Sequence, residues 1–348
     1  MTFQFSPNHG SNHGSVPAHS AVPPHTGELE IPDLKPVLAQ LSRVVVGQEH
    51  LCQQLVVAML AGGHVLLEGV PGVAKTLAVS TFAKIIGGSF SRIQFTPDLV
   101  PSDIVGTRIF RQDTGEFITE PGPVMANVVL ADEINRAPAK VQSALLEVMA
   151  EHQVSIAGTS TPVPAPFMVL ATQNPIENQG VYQLPEAQRD RFLFKVPVEY
   201  PTPAEEREIV YRMGTTPPEA TQVLTPEAIR ELQRKTREVF VHHALIDYVV
   251  AVIELTRKPA RAGLDDVSRW LSYGASPRAT LGAVTAARAH ALLQGRDYVI
   301  PADVVQVMPD ILRHRLVLSY EALADEVTAD TIVEQILARV RLPEISAG

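Results

Sequence analysis

The first part of the chain alternates short apolar runs with stretches of helical periodicity. Five runs are continuous and rich in Val, Leu and Phe, as strands covered on both faces should be: 64–68, 92–95, 128–131, 167–172 and 192–196. A helical stretch at 75–86 separates the first two runs and ends at Gly87-Gly88. Because strands and helices alternate, we predict an α/β core over residues 29–200, with a parallel sheet between helices.

Two inserts break this alternation. Residues 107–120 alternate around Asp113-Thr114-Gly115, and residues 153–163 have Gly158-Thr159-Ser160 at their centre. Short polar turns that contain glycine are typical of β-hairpins. We therefore predict a β-hairpin at each insert.

The pattern changes after Pro201-Thr202-Pro203. The segments that follow have helical periodicity: 204–213, 226–239, 244–256, 277–293, 301–312 and 329–340. Two of these helices begin with a capping residue and a proline, Thr225-Pro226 and Ser276-Pro277. No segment here predicts a strand, so we expect a separate, all-helical domain over residues 201–348.

Composition narrows the possible functions. The chain has 348 residues, more than the roughly 100–200 of a typical single domain, so two folded domains are expected. No apolar run approaches the ~18 residues that span a bilayer. A net charge of −9 and a low aromatic content argue against a nucleic-acid partner, which normally requires a basic face or stacking platforms.

Residues 1–28 are rich in Pro, Ser, His, Asn and Gly and poor in aliphatic side chains, which predicts a disordered tail. Its histidines are scattered, so a solvated tail is favoured over a metal site. Cys52 is the only cysteine, which excludes an internal disulfide and fits a cytoplasmic location. It lies in an apolar helical pattern that predicts a buried small hydrophobe.

A glycine-rich segment follows the first predicted strand and opens the helix at 75–86. It consists of Gly69, Val70, Pro71, Gly72, Val73, Ala74, Lys75 and Thr76, followed by Leu77. The glycines let the backbone wrap a phosphate with its N–H groups turned inward at a helix N-terminus. We expect Lys75 to reach the β- and γ-phosphates of ATP and the Thr76 hydroxyl to bind Mg²⁺. Ala74 replaces the usual last glycine, at a position that we expect to enter the helix, where alanine is tolerated.

Two carboxylates, Asp132 and Glu133, end the third predicted strand. Asp132 would hold Mg²⁺ through water, and Glu133 would orient and deprotonate the attacking water. A kinase or a GTPase has less use for a second carboxylate, so the pair favours ATP hydrolysis by water. Asn174, after the fourth predicted strand, is a candidate to hydrogen-bond the γ-phosphate and the lytic water.

Arginines at two further places are candidates for phosphate binding. Arg191 precedes the last predicted strand and is a candidate arginine finger for a neighbouring subunit. Arg189 is its rival, and a surface ion pair with Glu186 or Asp190 is the alternative. Arg278 lies in the first turn of a predicted helix, where a cation opposes the helix dipole. That placement indicates an anionic ligand, with plain solvent exposure as the alternative.

Upstream of the phosphate loop, Gly47 and Gln48 precede a helix and are placed to touch the adenine.

The motifs described above, in this order, resemble those of the AAA+ family of ATPases. The resemblance makes residues 69–76 the Walker A motif and 128–133 the Walker B motif. It makes Asn174 sensor 1, Arg191 the arginine finger and Arg278 sensor 2.

More narrowly, the chain resembles the MoxR family over residues 31–345. The segments that carry this resemblance are Val46-Gly47-Gln48-Glu49, the phosphate loop 69–76, Asp132-Glu133-Ile134-Asn135-Arg136-Ala137, Ala171-Thr172-Gln173-Asn174-Pro175, Leu184-Pro185-Glu186-Ala187-Gln188 and Gly274-Ala275-Ser276-Pro277-Arg278-Ala279. Ala74 suits this family, whereas Arg189 stands where an apolar residue is expected.

The resemblance implies a Mg²⁺-dependent ATPase with a small helical lid, usually a homo-hexamer. It implies ATP bound between core and lid, and a chaperone-like role in the maturation of other proteins, including metal or cofactor insertion. A partner with a von Willebrand factor A domain is often involved. Two alternatives on the same fold are a nucleic-acid or chelatase-like motor and a nucleotide-gated scaffold without turnover.

Overall fold

The fold is built on a five-stranded parallel sheet. The computed structural model describes residues 30–175, 181–214 and 216–343, so the predicted tail lies outside the described residues. Its strands before residue 200 are β1 (Val65–Gly69), β2 (Phe90–Gln94), β3 (Gly106–Arg111), β4 (Glu116–Pro121), β5 (Val128–Asp132), β6 (Gln153–Ile156), β7 (Thr159–Pro162), β8 (Met168–Gln173) and β9 (Phe194–Val198). The central sheet has the order β2-β5-β8-β1-β9, with every pair parallel. The five predicted strands are confirmed, with ends shifted by one or two residues.

Helices cover both faces of this sheet. They are α1 (Lys35–Val44), α2 (Glu49–Ala61), α3 (Lys75–Ile85), α4 (Pro101–Val105), α5 (Ala139–Glu151) and α6 (Glu186–Arg189). Alternate strand residues point to opposite faces. In β5, Val128 and Leu130 belong to the apolar cluster with α1–α3, whereas Val129 and Ala131 belong to the cluster with α4 and α5. This double coverage explains why β1, β5 and β8 are continuous apolar runs.

Both predicted hairpins are confirmed. β3 pairs with β4 and β6 with β7, and the two turns contain Gly115 (φ +70°) and Gly158 (φ +83°). Positive φ favours glycine because it has no side chain to clash. On the first hairpin Phe110 faces Phe117 across the strands, and both rings are exposed. Neither hairpin is hydrogen-bonded to the central sheet.

The C-terminal region is helical, as predicted. Its helices are α7 (Pro203–Met213), α8 (Pro226–Glu238), α9 (His243–Arg257), α10 (Asp265–Trp270), α11 (Pro277–Leu293), α12 (Pro301–Leu312), α13 (Tyr320–Ala324) and α14 (Ala329–Arg339). The predicted caps of α8 and α11 are present, since the hydroxyls of Thr225 and Ser276 accept hydrogen bonds from the N–H groups of Ala228 and Arg278. None of the helices in the described ranges combines the length and hydropathy that a membrane crossing requires.

One expectation for this region is wrong, because it contains two strands. β10 (Leu271–Tyr273) and β11 (Val317–Leu318) form a small antiparallel sheet. Strands of three and two residues are too short to show a period of two in the sequence. Leu271 pairs with Leu318 and Tyr273 with Val317, so the two strands are far apart in the sequence. Only the tertiary structure brings them into register.

The C-terminal helices share a hydrophobic cluster with the core. α2 packs against α8 and α11, and apolar side chains from α1–α3, α8, α9, α11, α12 and α14 form one continuous cluster. Every position of α2 from Leu51 to Leu60, apart from Gln53, is buried, because the helix is covered by the sheet on one side and by the C-terminal helices on the other. Cys52 lies here, buried as predicted, and burial raises the pKa of its thiol to about 12.

Arg315 ties the C-terminal region to the sheet through polar contacts. Its side chain is 3% exposed, and its Nε donates to Asp190 Oδ1 at 2.8 Å. Its Nη atoms donate to the carbonyl oxygens of Phe192 at 2.6 Å and Leu193 at 3.0 Å, directly before β9. A buried guanidinium is tolerated only when such partners offset its desolvation.

We expect Arg315→Leu to lower the free energy of unfolding by about 3–5 kcal/mol, because it removes the buried cation paired with Asp190 and its hydrogen bonds to the carbonyl oxygens of Phe192 and Leu193. Urea denaturation followed by circular dichroism measures this loss. The control is Arg234→Leu, which removes half-exposed ion pairs with Glu231 and Glu238 on α8 and should cost less than about 1 kcal/mol. Equal losses in the two variants would show that the Arg315 contacts do not anchor the region.

Candidate nucleotide-binding site

The phosphate loop connects β1 to α3, as predicted, and only glycine fits at its first position. A Cβ on Gly69 would lie 2.4 Å from the carbonyl oxygen of Val198 on β9. Gly72 has φ +86°, with open space where a Cβ would point. The loop therefore runs close to the sheet at its start and leaves its centre clear for a ligand.

Ala74 departs from the expectation that it enters the helix. α3 begins at Lys75, and Ala74 precedes it with φ +61° and ψ +19°, a left-handed conformation. This conformation costs a non-glycine residue about 1–2 kcal/mol. No side chain in the described part of the chain caps α3, so the N–H groups of its first turn are available to an anion in the loop.

Lys75 lies at the start of α3 and points back into the loop. Its Nζ donates to the carbonyl oxygen of Gly69 at 2.7 Å. Burial lowers the pKa of Lys75, whereas the carboxylates of Asp132 and Glu133 act in the opposite direction. The lysine is therefore a half-buried cation beside two carboxylates, suited to exchange a carbonyl for a phosphate oxygen.

A cavity of about 430 Å³ lies over the loop and the ends of three strands. It is lined by Pro71, Gly72, Ala74, Lys75, Thr76, Leu77, Arg92, Gln94, Asp132, Glu133 and Asn174. The structure thus brings together the phosphate loop, the acidic pair and Asn174 in one place. Its volume falls within the range of ordinary small-molecule sites.

The acidic pair is held from β8 by a single hydroxyl. Thr172 Oγ1 donates to Asp132 Oδ1 at 2.6 Å and accepts the Glu133 N–H at 2.8 Å. Glu133 has φ +55°, which turns its side chain away from the direction of β5. Its Oε2 accepts from Gln94 Nε2 at 2.8 Å and pairs with Arg136 Nε at 3.2 Å.

Sequence reasoning missed Arg92, Gln94 and Thr172 as residues of this site. β2 is an edge strand in which only Ile93 is buried, so the prediction of burial on both faces is wrong for this strand. The polar–apolar–polar alternation of Arg92, Ile93 and Gln94 was the available signal. It marks one face of β2 as polar, and that face carries the side chains that contact the acidic pair.

The predicted arginines lie away from this cavity. Arg191 and Arg278 line a second cavity of about 390 Å³, together with Asp190 and Arg315, and no phosphate-loop residue lines it. Arg278 Nη1 is 3.9 Å from Asp190 Oδ2, and an Nη of Arg191 donates to the carbonyl oxygen of Leu146. Arg278 and the phosphate loop of its own chain therefore line different cavities.

Arg189 points elsewhere. It lines a pocket of about 230 Å³ with Asn174 and Lys195, and its Nε is buried without a hydrogen-bond partner among the described residues. Asp190, the candidate partner for a surface ion pair, is engaged by Arg315 instead. Arg189 and Arg191 thus line two different cavities.

Gly47 and Gln48 contact the segment that follows β9. A Cβ on Gly47 would lie 2.6 Å from the Glu205 carboxyl carbon, and Gly47 has φ +71°. Gln48 Nε2 donates to the carbonyl oxygen of Glu199 at 3.0 Å. These contacts join the chain before α2 to the start of the C-terminal region. Neither residue lines the phosphate-loop cavity, so their contact with adenine stays a prediction.

The residues of the cavity fit a nucleotide with Mg²⁺. The Thr76 hydroxyl and the Asp132 carboxylate line one cavity with Lys75, and Mg²⁺ takes oxygen ligands from one or two protein groups plus phosphates. Within the described ranges no group of three or more His, Cys, Asp or Glu side chains forms a dedicated metal cage. The donor set therefore suits a metal that arrives with a polyphosphate.

The strand order identifies the class of protein. β8 lies between the phosphate-loop strand β1 and the acidic strand β5 and supplies both Thr172 and Asn174 at its end. A sheet of this kind with a helical C-terminal region defines a P-loop ATPase of the AAA type. Family models agree: the ATPase family associated with various cellular activities (AAA) matches residues 64–194, and the AAA lid domain matches residues 265–336.

Comparison with individual relatives assigns the chain to a narrower family within the AAA class. The chain is 60% identical to the chaperone MoxR1 of Mycobacterium tuberculosis, over 96% of this chain and 89% of the relative. It is 33% identical to protein MoxR of Methylorubrum extorquens, over 84% of this chain and 90% of the relative. A solved structure of a candidate ATPase from Cytophaga hutchinsonii matches with a TM-score of 0.84 at 44% identity, covering 89% of this chain and 95% of the other. The chain belongs to the MoxR family of AAA+ ATPases.

Proposed function

We propose that the protein hydrolyses ATP with Mg²⁺ in a homo-oligomeric ring, a hexamer, and uses the cycle to remodel a protein partner. The observation that carries this proposal is the division of the catalytic groups between two cavities. Lys75, Thr76, Asp132 and Glu133 line one cavity, whereas Arg191 and Arg278 line another. A site completed by two copies of the chain accounts for that division.

Within one subunit, the loop N–H groups and Lys75 bind the phosphates. Thr76 and Asp132 would hold Mg²⁺, which when bound offsets the negative charge of the phosphates. The Glu133 carboxylate takes a proton from water as the water oxygen bonds to the γ-phosphorus. The bond to the β–γ bridging oxygen breaks, and ADP and inorganic phosphate leave. The Asn174 amide orients the water and the γ-phosphate.

The neighbouring subunit supplies Arg191, and by the same geometry Arg278. Both arginines share one cavity that contains no part of the phosphate loop. A guanidinium from the neighbour stabilises the charge on the transferred phosphoryl group. This arrangement supports an arginine pair supplied in trans, in place of an Arg278 that closes over the nucleotide of its own chain.

The shared cluster of α2, α8 and α11 indicates which parts move. A swing of the C-terminal helices away from their own core would expose buried apolar surface and break the Arg315 contacts. That cost favours movement between subunits, with the core and C-terminal helices of each chain moving together.

We infer that the client is a protein. The relative from Mycobacterium tuberculosis is named a chaperone, and the net charge of −9 disfavours nucleic acid. Maturation or activation of the client, including insertion of a metal or cofactor, fits this family, as does a partner with a von Willebrand factor A domain. We place the protein in the cytoplasm, because its single cysteine, Cys52, is free and buried, which fits a reducing compartment.

Glu133→Gln should keep nucleotide affinity within about threefold and lower kcat by ~100-fold or more, because the amide cannot accept the proton. Lys75→Ala should weaken ATP binding by about tenfold or more. Fluorescent-nucleotide titration and phosphate release measure the two effects. Glu151→Gln, an exposed carboxylate on α5, is the matched control and should leave both unchanged. Wild-type turnover in Glu133→Gln would exclude this residue as the base.

Arg191→Ala should lower turnover by ~100-fold or more, and mixing it with Glu133→Gln should restore part of the activity. In a mixed ring, some interfaces combine the intact base of one subunit with the intact arginine of its neighbour. Turnover against protein concentration measures assembly, and wild-type activity should rise cooperatively. Arg189→Ala is the comparison and should not need rescue. Loss of activity that mixing fails to rescue would show that Arg191 does not act in trans.

Arg278→Ala provides a separate test of the second arginine. If both arginines act from the same neighbour, Arg278→Ala mixed with Glu133→Gln regains activity, whereas Arg278→Ala mixed with Arg191→Ala does not. The opposite result, in which Arg278→Ala regains activity with Arg191→Ala but not with Glu133→Gln, would place Arg278 over the nucleotide of its own chain.

A further inference from the structure

Arg92 contacts the acidic pair from β2. Its Nε and Nη2 donate to Asp132 Oδ2 at 3.1 Å and 2.7 Å, and Nη2 also donates to Gln94 Oε1 at 2.9 Å. Arg92 is paired with Leu130 in the sheet, two positions before the level of Asp132. Its side chain therefore extends along the strand toward the carboxyl end, where it lines the phosphate-loop cavity.

The guanidinium has donors left over. Within the described ranges Nη1 of Arg92 has no hydrogen-bond partner, and the side chain is 49% exposed, against 13% for Asp132. Arginine presents its donors in a rigid fork, so Nη1 faces outward when Nε and Nη2 bind one oxygen. The free edge of the fork is thus available to an anion in the cavity.

Three of the roughly four acceptor positions of the Asp132 carboxylate are already used. Thr172 already occupies Oδ1, and Arg92 occupies Oδ2 through two N–H groups. A divalent cation or its bound water that approaches this carboxylate repels the guanidinium and competes for the same lone pairs. The γ-phosphate of a bound ATP would offer oxygens that the Arg92 guanidinium can bind through two N–H groups.

We propose that Arg92 is a catalytic residue that acts in cis, exchanging Asp132 for the γ-phosphate when Mg²⁺ and ATP bind. The inference rests on the proposed ATPase function. It adds a further cation to the γ-phosphate, beside Lys75 from the loop and the arginines from the neighbour. Arg92 thereby couples occupation of the γ-phosphate position to release of the carboxylate that holds the metal.

A purely structural brace on Asp132 is the competing explanation. A brace would orient Asp132 for Mg²⁺ with either nucleotide, because ADP and ATP both bring a β-phosphate. If Arg92 instead binds the γ-phosphate, it should affect ATP and ADP differently, because ADP lacks that group. Relative affinity for ATP and ADP therefore separates the two roles without any measurement of turnover.

The experiment titrates fluorescent ATP and ADP, each with Mg²⁺, into rings that carry Glu133→Gln so that ATP survives. Adding Arg92→Ala should lower the affinity for ATP by about tenfold or more and the affinity for ADP by less than about threefold. Arg92→Lys should recover part of the ATP affinity. Arg111→Ala, an exposed arginine on the nearby hairpin, is the control and should change neither. Equal weakening of both nucleotides, or of neither, would overturn the proposal.

Mixing tests whether Arg92 acts in cis. Arg92→Ala mixed with Arg191→Ala should regain turnover, whereas Arg92→Ala mixed with Glu133→Gln should not, because each subunit then lacks a group of its own site. Rescue by Glu133→Gln would contradict action in cis.

The proposed function is judged separately on the wild type: if the wild-type protein neither binds nor hydrolyses ATP, that proposal fails. Normal wild-type turnover with an unaffected Arg92→Ala refutes only the role of Arg92.

Discussion

Parallel pairing of β5, β8 and β1 is the constraint on which the site depends. The pairing puts the carboxyl ends of the strands at one edge, so that Asp132, Thr172 and Gly69 come together there. Thr172 then joins the ends of β5 and β8 through its bonds to Asp132 and the Glu133 N–H. A register shift of one residue would turn this hydroxyl to the opposite face of the sheet, and the acidic pair would lose its support.

A second link connects the sheet to the C-terminal helices through Asp190. Its Oδ1 accepts from Arg315 Nε and its Oδ2 from Ser276 Oγ, both at 2.8 Å. Ser276 caps α11, whose first turn carries Arg278, and Asp190 directly precedes Arg191. One carboxylate therefore links the two segments that carry Arg191 and Arg278. In a ring, this link would present them to the neighbouring nucleotide as a single unit, in step with the core that carries them.

Much of the fold and part of the site were predictable because their signals are local. Each buried strand is a continuous apolar run, and the phosphate loop, the acidic pair and Asn174 each follow such a run directly. The contacts of Arg92 were not predictable, because they depend on which strands are neighbours. The same limit applies to Arg278: its place in the first turn of α11 indicated an anionic ligand, but only the tertiary structure shows that it lines a cavity without any residue of its own phosphate loop. The roles of these residues in catalysis stay predictions.

Backbone strain supports the view that the cavity is built before its ligand arrives. Ala74 and Glu133, neither of them glycine, have φ of +61° and +55°, and both line the cavity. Each conformation costs about 1–2 kcal/mol, so each needs local compensation. For Glu133 that compensation is visible in the bond from its N–H to Thr172 Oγ1 and in the contact of its carboxylate with Gln94. For Ala74, no such bond to a side chain exists among the described residues, and a phosphate bound by the loop N–H groups would supply it. The strain at Ala74 thus favours an anion in the loop, whereas the strain at Glu133 is already offset by the protein and keeps the carboxylate positioned for water.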